Sequence, residues 1–184
     1  KELGQEAVAI TDHGVMYGVV DFYKACKAAG IKPIIGCEVY VAPRGRTRFQ
    51  KVHEYDAESR HLVLLCRNEE GYRNLSYMVS QAFLEGFYIK PRIDLELLRK
   101  HAGGLIACSA CLAGELPRLL TAGEYDQAKA VALEMRELFG EDGYYLELQD
   151  HGIPAQRQVN AGLMRLHQET GIPLIATNDA HYLR

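Results

Sequence analysis

The chain has no apolar run approaching the roughly 20 residues that cross a bilayer, and no signal peptide opens it. Neither sign of charge dominates: 21 Lys and Arg stand against 24 Asp and Glu, a formal net charge of −3. A near-neutral chain exerts no global pull on nucleic acid or an acidic membrane, so a nucleic-acid partner must be met by a local patch or within a larger assembly. Cysteine is sparse and odd in number. Cys26, Cys37, Cys66, Cys108 and Cys111 lack the spacing of a disulfide framework, in a chain too large to need one, which points to the reducing cytoplasm. Phosphate and acyl-transfer signatures are also missing: there is no Gly-x-Gly-x-x-Gly, no Gly-Lys-Ser/Thr loop and no Gly-x-Ser-x-Gly elbow. Ser109 lies between two cysteines with no base beside it in sequence.

What is present is ordinary for a globular protein with one sizeable core: 184 residues, 48% hydrophobic and 24% charged. No shift of composition marks a linker, so residues 1–184 are expected to form a single domain. The chain opens on Lys1, with an apolar strand a few residues later, and is expected to be a piece of a longer protein.

Six short, β-branched apolar runs stand out: Ala7–Thr11, Pro33–Val41, Leu62–Cys66, Leu105–Cys108, Tyr144–Leu148 and Leu174–Thr177. Most are continuous rather than alternating, as in parallel strands buried on both faces. Helical patterns lie between them. One spans Met16–Ala29, with Val19, Val20 and Tyr23 on one face and Gly30 as its stop. A second follows the cap residue Asn68 and places Tyr72, Leu75, Met78, Val79 and Ala82 at helical spacing. Asp94 caps a short third, and Tyr125–Phe139 and Pro154–Thr170 are the longest. The alternation predicts an α/β fold, either a doubly wound sheet or a barrel. The polar stretch Pro43–Arg60 is the long connection, and its basic cluster Arg44, Arg46, Arg48 and Lys51 reads as solvated, with phosphate contact as the alternative.

Chemistry collects where the strands end. The first leads into Thr11-Asp12-His13, the second carries Gly36-Cys37-Glu38, and the fourth leads into Cys108-Ser109-Ala110-Cys111. The fifth leads into Asp150-His151-Gly152 and the sixth into Asn178-Asp179-Ala180-His181. In parallel β/α folds the loops after the strands converge on one edge, and these side chains are the ones that bind zinc or manganese. Each residue has a plainer role open to it. A single histidine is commonly a packing residue, Asp12 and Asp179 suit turn or helix caps, and Cys111 suits a buried thiol. Glu38 is harder to place this way, because an unpaired carboxylate inside an apolar strand costs several kcal/mol, on the order of a charged side chain left without a cation. Taken together, a shared metal site fits the set best. His53, His101 and His167 fall outside the pattern, and His61 opens its strand, which in a simple barrel is the opposite end.

The strings Ala9-Ile10-Thr11-Asp12-His13-Gly14, Gly36-Cys37-Glu38-Val39-Tyr40 and Thr177-Asn178-Asp179-Ala180-His181-Tyr182 resemble motifs of the PHP (polymerase and histidinol phosphatase) superfamily. Longer strings narrow the resemblance to the branch near the N-terminus of bacterial replicative DNA polymerase III alpha subunits. These are Ile34–Pro43, Asn68–Leu75, Gly86–Asp94 and Leu146–Gly152. The resemblance implies a distorted seven-stranded β/α barrel, of which this chain is expected to lack the first strand and its His-x-His ligands. It implies up to three zinc or manganese ions and assigns the visible ligands to His13, Glu38, His61, Cys111, Asp179 and His181. His61 enters only by this route, and His151 is left near the site without a clear role.

The function so implied is a cytoplasmic, metal-dependent phosphodiester hydrolysis, a 3′–5′ exonuclease proofreading activity within a polymerase whose partners are DNA and other replicative subunits, with no membrane. Two alternatives accompany it. One is a non-catalytic scaffold that stabilises the polymerase or docks a proofreading exonuclease. The other is a stand-alone phosphatase on a small phosphomonoester such as histidinol phosphate.

Overall fold

A computed structural model describes residues 1–182. It resolves into two compact units, Lys1–Leu105 and Ile106 onward.

The first unit begins with a right-sized β/α crossover. Strand β1 (Ala7–Ile10) pairs in parallel with β2 (Lys32–Val41), from Ala7 opposite Lys32 to Ile10 opposite Ile35. Helix α1 (Val19–Ala29) connects them and stops where expected: Gly30 takes the left-handed conformation, and its N–H caps the carbonyls of Cys26 and Lys27. The buried stripe of α1 is narrower than its apolar pattern predicts. Val19 and Cys26 are buried, whereas Val20 and Tyr23 face solvent.

The next strand departs from the expected parallel sheet. β3 (Arg60–Cys66) runs antiparallel to β2, pairing Gly36 with Leu65, Glu38 with Val63 and Tyr40 with His61. A continuous apolar run reports that both faces of a strand are covered, and it carries no information on direction. Direction is set here by the connection, which contains only the single-turn helix α2 (His53–Asp56) and no helix long enough to return the chain along the sheet. Gly36 allows the close approach, since a Cβ there would lie 2.5 Å from the Leu64 carbonyl oxygen.

That connection is held by buried charge, not solvated. Arg46 clamps the fully buried Asp56 through two hydrogen bonds of 2.8 and 2.6 Å, and the Val52 N–H donates to the same carboxylate. Arg48 bridges Glu85 and Asp94. The buried Arg92 donates to the carbonyls of Arg48, Gln50, Asp56 and Gly86. Arg46 and Arg48 are thereby committed to the fold and not to a phosphate. Arg92 also begins a seventh strand absent from the sequence pattern, β4 (Arg92–Ile93), which adds in parallel to Tyr40 and Val41 of β2. Two residues behind a proline leave no periodicity to detect.

Helix α3 (Glu69–Leu84) starts as predicted, with Asn68 accepting from the Gly71 N–H at 3.0 Å. It buries Leu75, Met78 and Ala82, while Tyr72 stays exposed at its rim. Asp94 caps α4 (Leu95–Lys100) in the same way, through the Leu97 N–H.

The second unit carries β5 (Leu105–Cys108), β6 (Tyr144–Leu148) and β7 (Leu174–Ala176), all parallel. Its helices are α5 (Glu115–Thr121), α6 (Tyr125–Phe139) and α7 (Pro154–Thr170). Helices α6 and α7 occupy the predicted ranges, and α7 ends at a left-handed Gly171. The short α5 was not predicted. It packs on α7 at Gly162, where a Cβ would come within 2.8 Å of the Leu120 side chain. Ala128, Val131, Ala132 and Met135 of α6, Val159, Leu163 and Leu166 of α7, and Tyr144 and Leu146 of β6 are all buried.

Candidate metal centre

In the first unit the candidate ligands are built on the β1–β2–β3 sheet. The ladder between β1 and β2 continues past Ile10: the Glu38 N–H donates to the Asp12 carbonyl, and the Gly14 N–H donates to the Glu38 carbonyl. This brings His13 alongside Glu38. Gly14 is left-handed, and a Cβ there would strike the Tyr40 ring at 2.9 Å, so glycine lets the chain turn tightly after His13.

Glu38 sits in the middle of an apolar stretch of β2 and is buried, 5% exposed. Its Oε1 lies 2.5 Å from His61 Nδ1 and 3.5 Å from His13 Nε2. The antiparallel direction of β3 explains His61. A residue that opens β3 lies beside the end of β2, and His61, opposite Tyr40, shares with Tyr40 and Glu38 the face set by a period of two. The objection that His61 stands at the wrong end of its strand therefore falls. Tyr40 packs edge-on against the His61 ring at 5.2 Å, and its hydroxyl is pushed up by burial and then by the Glu38 charge.

Two imidazole nitrogens and a carboxylate oxygen form a donor set suited to a divalent cation of the zinc or manganese class. The 3.5 Å between His13 Nε2 and Glu38 Oε1 is close to the separation of about 3.4 Å that two ligands take on one tetrahedral ion with bonds of about 2.1 Å. The His61 contact, at 2.5 Å, is shorter and must open by about 1 Å for both atoms to share an ion. Cys37, next in sequence to Glu38, is not part of this set. Its thiol donates to the Asp12 carbonyl, and burial pushes its pKa up to about 12.

In the second unit Cys111 follows β5 on a loop whose preceding residue, Ala110, has φ of 63°. Cys108 does not form a redox pair with it. No disulfide joins Cys108 and Cys111, and burial followed by the nearby Glu147 charge raises Cys108 to about 12. Asp179 and His181 come together after β7: His181 Nδ1 donates to the Asp179 carbonyl at 2.8 Å and lies 3.9 Å from its carboxylate. In the neutral ring this leaves Nε2 as the nitrogen with a lone pair, the form a metal ligand needs. Asp179 has φ of 44°, so its backbone is constrained and not a simple helix cap.

Both ring nitrogens of His151 are engaged by hydrogen bonds. Its Nε2 donates to the Asn178 carbonyl at 2.7 Å, and its Nδ1 pairs with Gln156 at 2.8 Å. Asp150 caps its own turn through the Gly152 N–H. The three remaining histidines have other contacts: His167 bonds the Ile172 carbonyl, His101 meets Asn74 and Tyr77, and His53 meets Tyr88. Glu147, buried within β6, was not singled out from the sequence. The signal was the one that flagged Glu38, a carboxylate inside an apolar strand.

Comparison with known proteins bears on this arrangement. Residues 1–151 match the model of the PHP domain, so the chain belongs to the PHP domain family. The match ends before Asp179 and His181. Among characterised relatives, the chain is 51% identical over 182 residues to DNA polymerase III subunit alpha of Treponema pallidum, covering 99% of this chain and 16% of that one. It is 46% identical to the Borreliella burgdorferi subunit, covering 100% and 16%, and 48% identical to that of Deinococcus radiodurans, covering 97% and 13%. The chain thus spans about a sixth of the first two relatives and less of the third. A solved structure described as a putative metal-dependent phosphoesterase from Bifidobacterium adolescentis shares the fold, with a TM-score of 0.54 at 14% identity over 98% of this chain and 79% of that one. The expected α/β fold of PHP type is the one observed. Among the described residues, no helix is long and apolar enough to cross a membrane.

Proposed function

We propose that the chain is the PHP domain of a bacterial replicative DNA polymerase, and that it holds zinc or manganese, up to three ions in the complete domain, for hydrolysis of phosphodiester bonds at a DNA 3′ end. His13, Glu38, His61, Cys111, Asp179 and His181 are the proposed ligands. The observation that carries the reading is Glu38, a buried carboxylate with His61 and His13 within 3.5 Å. Similarity to polymerase alpha subunits over nearly the whole chain supports the polymerase context, and a family match running from residue 1 to 151 supports treating the two units as one domain. The proposed location is the cytoplasm, and DNA and other replicative subunits are the proposed partners.

When bound, such ions would supply an acidified water and charge stabilisation for a displacement at phosphorus. The chain's own task is to hold its donors in the ligating form. Glu38 offers an anionic oxygen whose burial makes it prefer a cation, and Tyr40 fixes the His61 ring from its edge. The Asp179 carbonyl sets the tautomer of His181. No covalent protein nucleophile is needed, and the Ser109 hydroxyl is engaged in accepting the Glu147 N–H.

The test is release of nucleotides from a 3′-labelled primer by the full-length subunit with added zinc or manganese. The reading expects release that a chelator stops and that Asp179→Asn and Glu38→Gln abolish. Absence of release under all metals overturns it. One observation favours a second reading, the non-catalytic scaffold: His61 already lies 2.5 Å from Glu38, so the buried carboxylate has a side-chain partner without a metal. On that reading Glu38→Gln leaves nuclease assays unchanged and lowers stability.

A further inference from the structure

Glu147 is a charged residue inside β6 and is only 6% exposed. Its backbone N–H donates to the Ser109 hydroxyl at 2.8 Å, and its Oε2 accepts from the Ala110 N–H at 3.0 Å. Its Oε1 accepts from the Thr177 hydroxyl at 2.5 Å and from Gln149 Nε2 at 3.2 Å. One carboxylate therefore ties the chain segments that follow β5, β6 and β7. The two outer segments are those that carry Cys111 and the Asp179/His181 pair.

Both segments hold a non-glycine residue in the left-handed region, Ala110 at φ 63° and Asp179 at φ 44°. Such conformations are unfavourable for residues with a side chain and persist only where the surroundings over-determine them. The Ala110 N–H bonded to Glu147 belongs to the residue just before Cys111, and Thr177 stands two residues before Asp179. The demand is specific to a carboxylate. Its two oxygens accept from donors on opposite sides, whereas glutamine has one acceptor oxygen and would turn an NH2 toward a donor.

We propose that Glu147 is a positioning residue that sets the Cys111 loop and the Asp179–His181 loop in the arrangement needed to bind a divalent ion. This rests on the reading of those three residues as metal ligands. Groups that orient ligands from behind typically contribute 10–100-fold to metal affinity.

The experiment uses the full-length polymerase subunit, stripped with chelator and titrated with Co(II), whose thiolate complexes show a near-ultraviolet charge-transfer band. Wild type is expected to show a band that Cys111→Ala removes. Glu147→Gln is expected to bind Co(II) about 10–100-fold more weakly and to show a shifted band even at saturation, with the thermal transition of the stripped protein retained. A purely structural role would move the thermal transition and not the saturated spectrum. Should Glu147→Gln fail to fold, Thr177→Val removes one donor to the same carboxylate and is expected to weaken Co(II) in the same direction, while Thr177→Ser, which keeps the hydroxyl, restores wild-type affinity. A Cys111-dependent band left unchanged by Glu147→Gln and Thr177→Val overturns the positioning role alone. No Cys111-dependent band in wild type overturns the metal reading and this inference with it.

Discussion

Replacing Arg46 by alanine removes the guanidinium from a carboxylate that has no access to water. Asp56 is fully buried, and its pKa falls from the usual 3.8 to about 2, chiefly through the two Arg46 hydrogen bonds, with burial opposing and the Val52 N–H and the Arg46 and Arg92 charges assisting. That depression corresponds to about 2 kcal/mol of stability contributed by the ionised form. The sign follows from the lowered folded-state pKa. The contribution is complete well above pH 3.8, fades as the pH falls below that value, and is gone below about 2. Removing one partner of a buried pair costs more than the pair contributes, typically about 3–5 kcal/mol. Arg46 is itself 24% exposed, and the Val52 N–H remains, so the lower end, about 3 kcal/mol, applies. Hydrogen exchange read by mass spectrometry on the full-length protein isolates the segment. In Arg46→Ala the protection of residues 46–57 near neutral pH should fall on the order of 100-fold, while α6 and α7 are unaffected. After correction for intrinsic rates, wild type should lose protection in this segment between about pH 4 and 2, and the variant should show no such acid step. A folded variant with protection within about threefold of wild type would make the pair a surface contact of little worth.

Other outcomes follow from the same geometry. Gly36→Ala places a Cβ 2.5 Å from a β3 backbone oxygen, and should destabilise the β2–β3 pair by about 1–3 kcal/mol, read as faster exchange across both strands. Cys37 and Cys108, both raised to about 12, should resist alkylation by iodoacetamide at pH 8 in the folded protein, and mass mapping that finds either rapidly modified contradicts their burial.

Much of this was legible in the sequence where local signals are strong. Pro154 and Gly171 bracket α7, Asn68 and Asp94 cap α3 and α4, and the runs at β5 and β6 coincide with their strands. Direction was not legible. The apolar stretches of β2 and β3 reveal two covered faces, and only the absence of a crossover helix in the connection determines that they are antiparallel. That single fact moves His61 from the far end of a strand to the side of Glu38, so a residue assigned only by family resemblance acquires a geometric reason. Arg46 and Arg48 illustrate the opposite failure. A basic cluster followed by acids reads as solvated, because sequence does not show that Asp56 and Asp94 are buried beneath it. Glu147 was available by the logic that found Glu38, but its partners are backbone and hydroxyl donors brought together only by the fold.

Whether Glu38 and its neighbouring histidines hold a metal ion is decided by elemental analysis of the full-length subunit beside its Glu38→Gln variant. Zinc or manganese is expected in stoichiometric amount in wild type, depleted in the variant while its thermal transition is retained. Equal metal in the two proteins, or none in either, would contradict that expectation.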